Sequence, residues 1–118
     1  MEVDEAIMAF SQSEKIKAGI IWANQILEIV QAQPRSERAG STTLVNALLN
    51  MVAQEIGLAK NLAPQGLWAE AETPLERALT MINSGVPQEA PAQLGKALSK
   101  ITNIGQRSMS LLKDEKLL

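Results

Sequence analysis

The segment TPLERALTMINSGVPQEAP, residues 73–91, decides whether this chain folds as one domain or as two. It holds three of the five prolines and a Ser-Gly pair, between two segments with strongly helical patterns. Thr73, Pro74 and Glu76 match a helix start, with a hydroxyl N-cap, proline at the first helical position and glutamate at the third. Gly85 fits the left-handed position that follows a last helical turn. A loop of roughly six residues then joins two helices, so we interpret the segment as a corner between antiparallel neighbours.

Apolar residues elsewhere in the chain also recur at helical spacing. In the first helical segment Ile16, Ile20, Ala23, Leu27 and Val30 follow the 4-3-4-3 spacing that is typical of bundle seams. The few aromatic and β-branched residues lie at the same helical spacing, which argues against an all-β fold. The predicted fold class is all-α: a single domain over residues 1–118 that forms an antiparallel bundle of four main helices, residues 2–33, 41–62, 74–84 and 91–114, with a short extra helical turn near 65–72.

The first helix raises a question of continuity. Ser11 and Glu14 match the S-x-x-E capping box, which predicts a helix start inside the segment. Either the chain breaks near Ser11 and residues 2–10 fold back over the bundle, or one continuous helix carries a second apolar arc. A continuous helix would need another molecule to cover that arc. We therefore predict a homodimer through helix 1, with the charge-poor helix 2 as the next surface, and the candidate interface residues are Ile7, Phe10, Ile21 and Trp22.

Composition removes several classes of function. The chain has no Cys, no His and no Tyr, so it lacks thiol nucleophiles, the usual general base and the commonest transition-metal ligand. We expect no enzyme activity, no cofactor and no metal site. A net charge of −2 argues against a nucleic-acid partner, which normally requires a basic surplus. The acidic first residues lack the basic flank of a signal peptide, and no apolar run reaches the ~20 residues of a membrane span, so we expect a cytoplasmic protein with no membrane partner.

Glu55 is the first candidate functional residue. It falls within the apolar arc of helix 2, and a buried carboxylate is costly unless it is paired. It is therefore a candidate buried charge. The alternative, which we favour, is that Glu55 lies at an interface rim or is neutralised by Lys15, Lys17 or a partner residue.

Helix 4 carries the second candidate, a basic stripe formed by Lys96, Lys100 and Arg107. Such a stripe could bind an acidic partner, nucleic acid or anionic lipid. Pairing with the acids that precede it around the corner, Glu70 among them, is the explanation we favour. The four cations of helix 4, which are these three and Lys113, have no interleaved aromatics and are weak evidence for nucleic acid.

These observations predict a non-enzymatic module for protein–protein interaction, such as an adaptor, a chaperone-like protein or an assembly subunit. Its protein partner is not identified by the sequence. The alternative is a carrier that holds a small apolar ligand between its helices, with Glu55 or a lysine orienting the ligand.

Overall fold

Four α-helices form the protein, and a computed structural model describes residues 1–64 and 66–118. The helices are α1 (Val3–Ala32), α2 (Arg38–Leu62), α3 (Gly66–Asn83) and α4 (Ala90–Asp114). Each of α1 and α3 packs against both α2 and α4, so consecutive helices are neighbours and the predicted all-α four-helix bundle is confirmed. The bundle is elongated, with extents of 54 × 21 × 19 Å. Within the described residues, none of the helices combines the length and the apolar character that a membrane crossing needs.

Helix α1 is continuous from Val3 to Ala32, so the break considered near Ser11 does not occur. Ser11 is exposed in mid-helix, while the next residue but one, Ser13, donates its hydroxyl to the Phe10 carbonyl at 2.8 Å. The capping-box spacing is therefore present without a helix start. All five residues of the predicted seam are buried, and burial of that stripe along the whole bundle outweighs a local preference for a new start.

The turn between α1 and α2 is shorter than predicted, because α2 begins at Arg38. The Arg38 guanidinium donates to the carbonyls of Gln33 and Gln31 at 2.8 and 2.9 Å. Those carbonyls lie at the end of α1, where the helix itself supplies no partners. Arg38 thus closes the first helix while it starts the second.

Helix α3 differs most from the prediction. The expected short turn near 65–72 is helical from Gly66 onward, and it continues without interruption through Pro74 to Asn83 (Gln65 lies outside the described residues). Thr73 therefore does not act as an N-cap. The Glu70 carbonyl lacks its usual helical hydrogen bond, because proline at position 74 has no amide hydrogen. Pro74 lies on the buried face of α3, whereas Glu70 is exposed. Burial of one apolar face across the whole of α3 explains why the helix tolerates the missing bond.

The corner after α3 is confirmed. Gly85 has φ +82°, in the left-handed region. The Val86 amide donates to the Met81 carbonyl at 2.9 Å, and the Gly85 amide donates to the Ile82 carbonyl at 3.4 Å. This pair of bonds is the Schellman ending, which glycine adopts without a steric penalty. Pro91 then lies in the first turn of α4, as expected.

Candidate functional site

Exposed apolar side chains are distributed very unevenly over the bundle. Within the four helices, every described large apolar residue that is strongly exposed belongs to α1 or α2, and none belongs to α3 or α4. The exposed side of α4 instead carries polar and charged residues such as Lys96, Asn103 and Arg107. Among the described parts of the four helices, the hairpin of α1 and α2 is therefore where an apolar surface meets solvent.

Seven of these exposed residues share one side of the hairpin, which we call the outer face. Helical spacing places them together, because residues seven apart lie on nearly the same side of a helix. Each exposes between 37% and 67% of its surface. The outer face consists of Met8, Trp22 and Ile29 on α1, and of Leu44, Met51, Leu58 and Leu62 on α2.

The outer face is also poor in charge. No charged residue occurs between Lys17 and Glu28 on α1, or between Arg38 and Glu55 on α2. At roughly 200 Å2 for a large apolar residue, the outer face exposes on the order of 700 Å2. The largest apolar patch of a typical monomer is about 300–600 Å2, and larger patches mark interaction sites.

A cleft of about 150 Å3 lies at the middle of the outer face, between α1 and α2. Gly19 is part of its lining, and the two helices approach closely there, since a Cβ added at Gly19 would lie 2.8 Å from Cγ2 of Val52. Trp22 and Met51 stand beside the cleft and are 59% and 60% exposed. An enclosed apolar cavity of this volume holds a benzene-sized group, so the cleft suits one side chain of a partner.

One polar cluster interrupts the outer face at the end of the cleft. The Lys15 ammonium lies 3.0 Å from Oε1 of Glu55, and the Gln12 amide donates to Oε2 at 3.2 Å. These two hydrogen bonds, that of Lys15 first, hold the pKa of the Glu55 carboxyl below its ordinary value despite partial desolvation. The Glu55 side chain is 29% exposed, so it is a rim residue with an ion-pair partner and not a buried charge.

The four candidate interface residues from the sequence do not form one patch. Trp22 lies beside the cleft with α2, whereas Ile21 lines a groove between α1 and α4 with Pro91 and Leu94. Ile7 is 51% exposed near the start of α1, and Phe10 is half-buried. Of the four, only Trp22 belongs to the outer face.

The basic stripe of α4 is only partly paired with the acids expected to neutralise it. Lys100 lies 3.7 Å from Glu70, but Glu72 pairs with Lys60 of α2 at 2.9 Å. Lys96 and Arg107 are exposed on the same side of α4. The arrangement is an open, solvated surface and includes no exposed aromatic residue of the kind that stacks on bases.

Comparison with protein-family models, with curated proteins and with solved structures gives no match for this chain. The function is therefore inferred from the outer face and its polar cluster. Six of the seven outer-face residues were not among the sequence candidates: Met8 and Ile29 on α1, and the four of α2, which are Leu44, Met51, Leu58 and Leu62. For the four of α2, the signal in the sequence is the seven-residue spacing of two rows, within a segment that has almost no charge.

Proposed function

We propose that this protein is a non-enzymatic interaction module that self-associates through the outer face of α1 and α2. The observation that carries the proposal is the concentration of exposed apolar residues on that one face. The area of about 700 Å2 is close to the roughly 800 Å2 per partner of a standard protein–protein interface. A second copy of the chain offers a surface of the same size, the same apolar character and the same helical shape, and two-fold dimers are the commonest assembly.

The chemistry of Glu55 supports a non-enzymatic role. A general acid or base works best when its pKa lies near the operating pH, which for a carboxyl requires a raised value. The pKa of Glu55 is lowered, because Lys15 and Gln12 bond to its ionised form. The cluster is thus suited to holding a charge in place within an interface.

A pair of matched substitutions tests the proposal. Ile29 is 62% exposed on the outer face, and Ile21 is 38% exposed on the side of the same helix that faces α4. We expect the unmodified chain to elute as a dimer at tens of micromolar in size-exclusion chromatography with light scattering. Ile29→Glu should shift it to a 12.8 kDa monomer, while Ile21→Glu should leave it dimeric and both should keep their helicity.

Two results would count against this proposal. A monomer at high concentration for the unmodified chain would mean that the outer face does not associate with itself. Loss of the dimer in Ile21→Glu but not in Ile29→Glu would move the interface to the groove between α1 and α4. That outcome would support the interface on helix 1 that the sequence predicts, which includes Ile21.

The cleft is also the site that the ligand-carrier alternative would use. Its volume of about 150 Å3 and its lining by Ile16, Leu48 and Val52 suit a small apolar molecule, with Lys15 and Glu55 at one end. Native mass spectrometry of freshly purified protein should detect a retained molecule if the protein is a carrier.

We also propose a cytoplasmic location, which fractionation of the native cells would test.

A further inference from the structure

The polar cluster lies near the middle of an otherwise apolar face, and it can set the register of a dimer. Lys15 and Glu55 are opposite each other across the cleft. The next outer-face residues along the hairpin are apolar on either side: Trp22 and Met51 on one, Met8 and Leu58 on the other. In helical assemblies a single polar level inside an apolar seam fixes the alignment of the partners, because any shift would bury charges against apolar groups. The outer face has this arrangement.

Contacts between α1 and α2 show which residues of the two helices lie at the same height along the hairpin, which we call one level. Lys15 is level with Glu55, and Gly19 is level with Val52. Trp22 shares the cleft with Leu48 and Met51. Because the helices are antiparallel and rise by the same 1.5 Å per residue, Met8 is level with Leu62, and Ile29 is level with residues 41–42, less than one turn from Leu44.

Resting on the proposed self-association, we propose that α1 of each copy packs on α2 of the other at the same level. The two-fold axis then runs along the helices. Lys15 of one copy meets Glu55 of the second copy, and the two ion pairs join into an alternating ring of four charges. Trp22 of each copy packs against Leu48 and Met51 of the other, at the mouth of its cleft.

Electrostatics favours this arrangement over the other two-fold alternative. If the axis ran across the helices at the middle of the cleft, α1 would lie on α1 of the second copy, and Lys15 would face Trp22 while Glu55 faced Leu48. Both charges would then be desolvated against apolar side chains, with no new partner in return. In the proposed register each charge gains a second partner of opposite sign, and each apolar level meets an apolar level.

Charge reversal and mixing test the register. Lys15→Glu places two acids at the polar level of each copy, and Glu55→Lys places two cations there. Since like-charge contacts in an interface cost several kcal/mol, each variant alone should dimerise at least about 30-fold more weakly. An equimolar mixture should restore the dimer, because every acid of one chain then faces a cation of the other. Circular dichroism of each variant checks that the bundle remains folded, which we expect because the Lys15 side chain is 60% exposed.

Cysteine cross-linking separates the two registers without changing a charge. The chain has no native cysteine, so single introduced thiols report contacts directly. In the proposed register Ala18→Cys chains mixed with Gln54→Cys chains should form a disulfide-linked heterodimer, while Ala18→Cys alone should not. Efficient cross-linking of Ala18→Cys to itself would show α1 on α1 and overturn the inference.

The outcomes also separate this inference from the function on which it rests. If the unmodified chain is dimeric and Ile29→Glu dissociates it, the proposed self-association stands. Failure of the charge-reversed mixture to associate would then refute the register alone. A monomeric unmodified chain would refute both.

Discussion

Gly19 provides the sharpest test of the packing between α1 and α2. A Cβ added there would lie 2.8 Å from Cγ2 of Val52, whereas carbon atoms in contact normally stay about 3.5–4.0 Å apart. Val52 is 4% exposed, and a β-branched side chain in a helix has one strongly preferred rotamer. The valine therefore cannot turn away, and Gly19→Ala must push the two helices apart or strain the side chain.

Two effects of opposite sign set the magnitude for Gly19→Ala. Overpacking a buried contact typically costs about 1–3 kcal/mol. Replacing glycine by alanine inside a helix contributes about 1 kcal/mol of stability. We expect a net loss of roughly 0–2 kcal/mol. Gly57 is the matched control, because it lies inside α2 and a Cβ there would meet nothing within 4 Å, so Gly57→Ala should stabilise the protein by up to about 1 kcal/mol.

The assay is urea unfolding followed by far-UV circular dichroism, with every variant made in the Ile29→Glu background so that dimer formation does not contribute. The melting temperature should change by about 4 °C for each kcal/mol in a chain of this size. Adding Val52→Ala to Gly19→Ala removes the clashing methyl, so the double variant should lose less stability than the sum of the single changes. Equal stabilisation by Gly19→Ala and Gly57→Ala would refute the close approach.

Three further changes probe other parts of the bundle. Trp68→Phe removes the indole N–H that donates to the Ala63 carbonyl at 2.7 Å in a buried site. Urea unfolding should show that the free energy of unfolding falls by about 1–3 kcal/mol, and unchanged stability would contradict that bond. Gly85→Ala forces a side chain into φ +82° and should cost about 1–2 kcal/mol, with an unchanged melting temperature as the contrary result. Because the pKa of Glu55 is lowered in the fold, its contribution is present above the ordinary carboxyl value of 4.5 and is lost as pH falls through the lowered value. In acid, the Ile29→Glu chain should therefore lose slightly more stability than the same chain with Glu55→Gln. The difference should be less than about 1 kcal/mol, because the Lys15 side chain is well exposed. Identical stability profiles against pH would show that the Lys15–Glu55 pair does not contribute.

The sequence predicted correctly those elements in which the local sequence signal and the pattern of buried residues indicate the same structure. The seam from Ile16 to Val30 is buried as expected, and Gly85 ends α3 because its backbone conformation excludes most other residues. Pro74 shows where local signals fail. The capping pattern around Pro74 involves only a few residues. The buried face of α3 extends over five turns, and its burial keeps the helix continuous.

The outer face could be anticipated only in part. On α2 the apolar residues cover about half of the helix, and spacing alone does not tell which half faces the core. Val45, Leu49 and Val52 turn inward, while Leu44 and Met51, one position earlier than two of them, turn outward. A step of one residue rotates a side chain by about 100°, so an error of one position in the assumed core direction exchanges core for surface. This is also why Ile21 and Trp22, adjacent in sequence, lie on different sides of α1.

The contrast between α4 and the α1–α2 hairpin supports the proposal that a partner covers the outer face. Helix α4 buries a continuous apolar stripe, and its exposed side is polar from Lys96 to Lys113. The same chain therefore contains a helix whose exposed side is polar, so the apolar, charge-poor outer face of α1 and α2 is not a consequence of overall composition. Two helices that each carry an apolar outer row at seven-residue spacing match the seam of a further helix pair. In the proposed dimer a second α1–α2 hairpin would supply that pair, and its Lys15–Glu55 ion pair would meet the first.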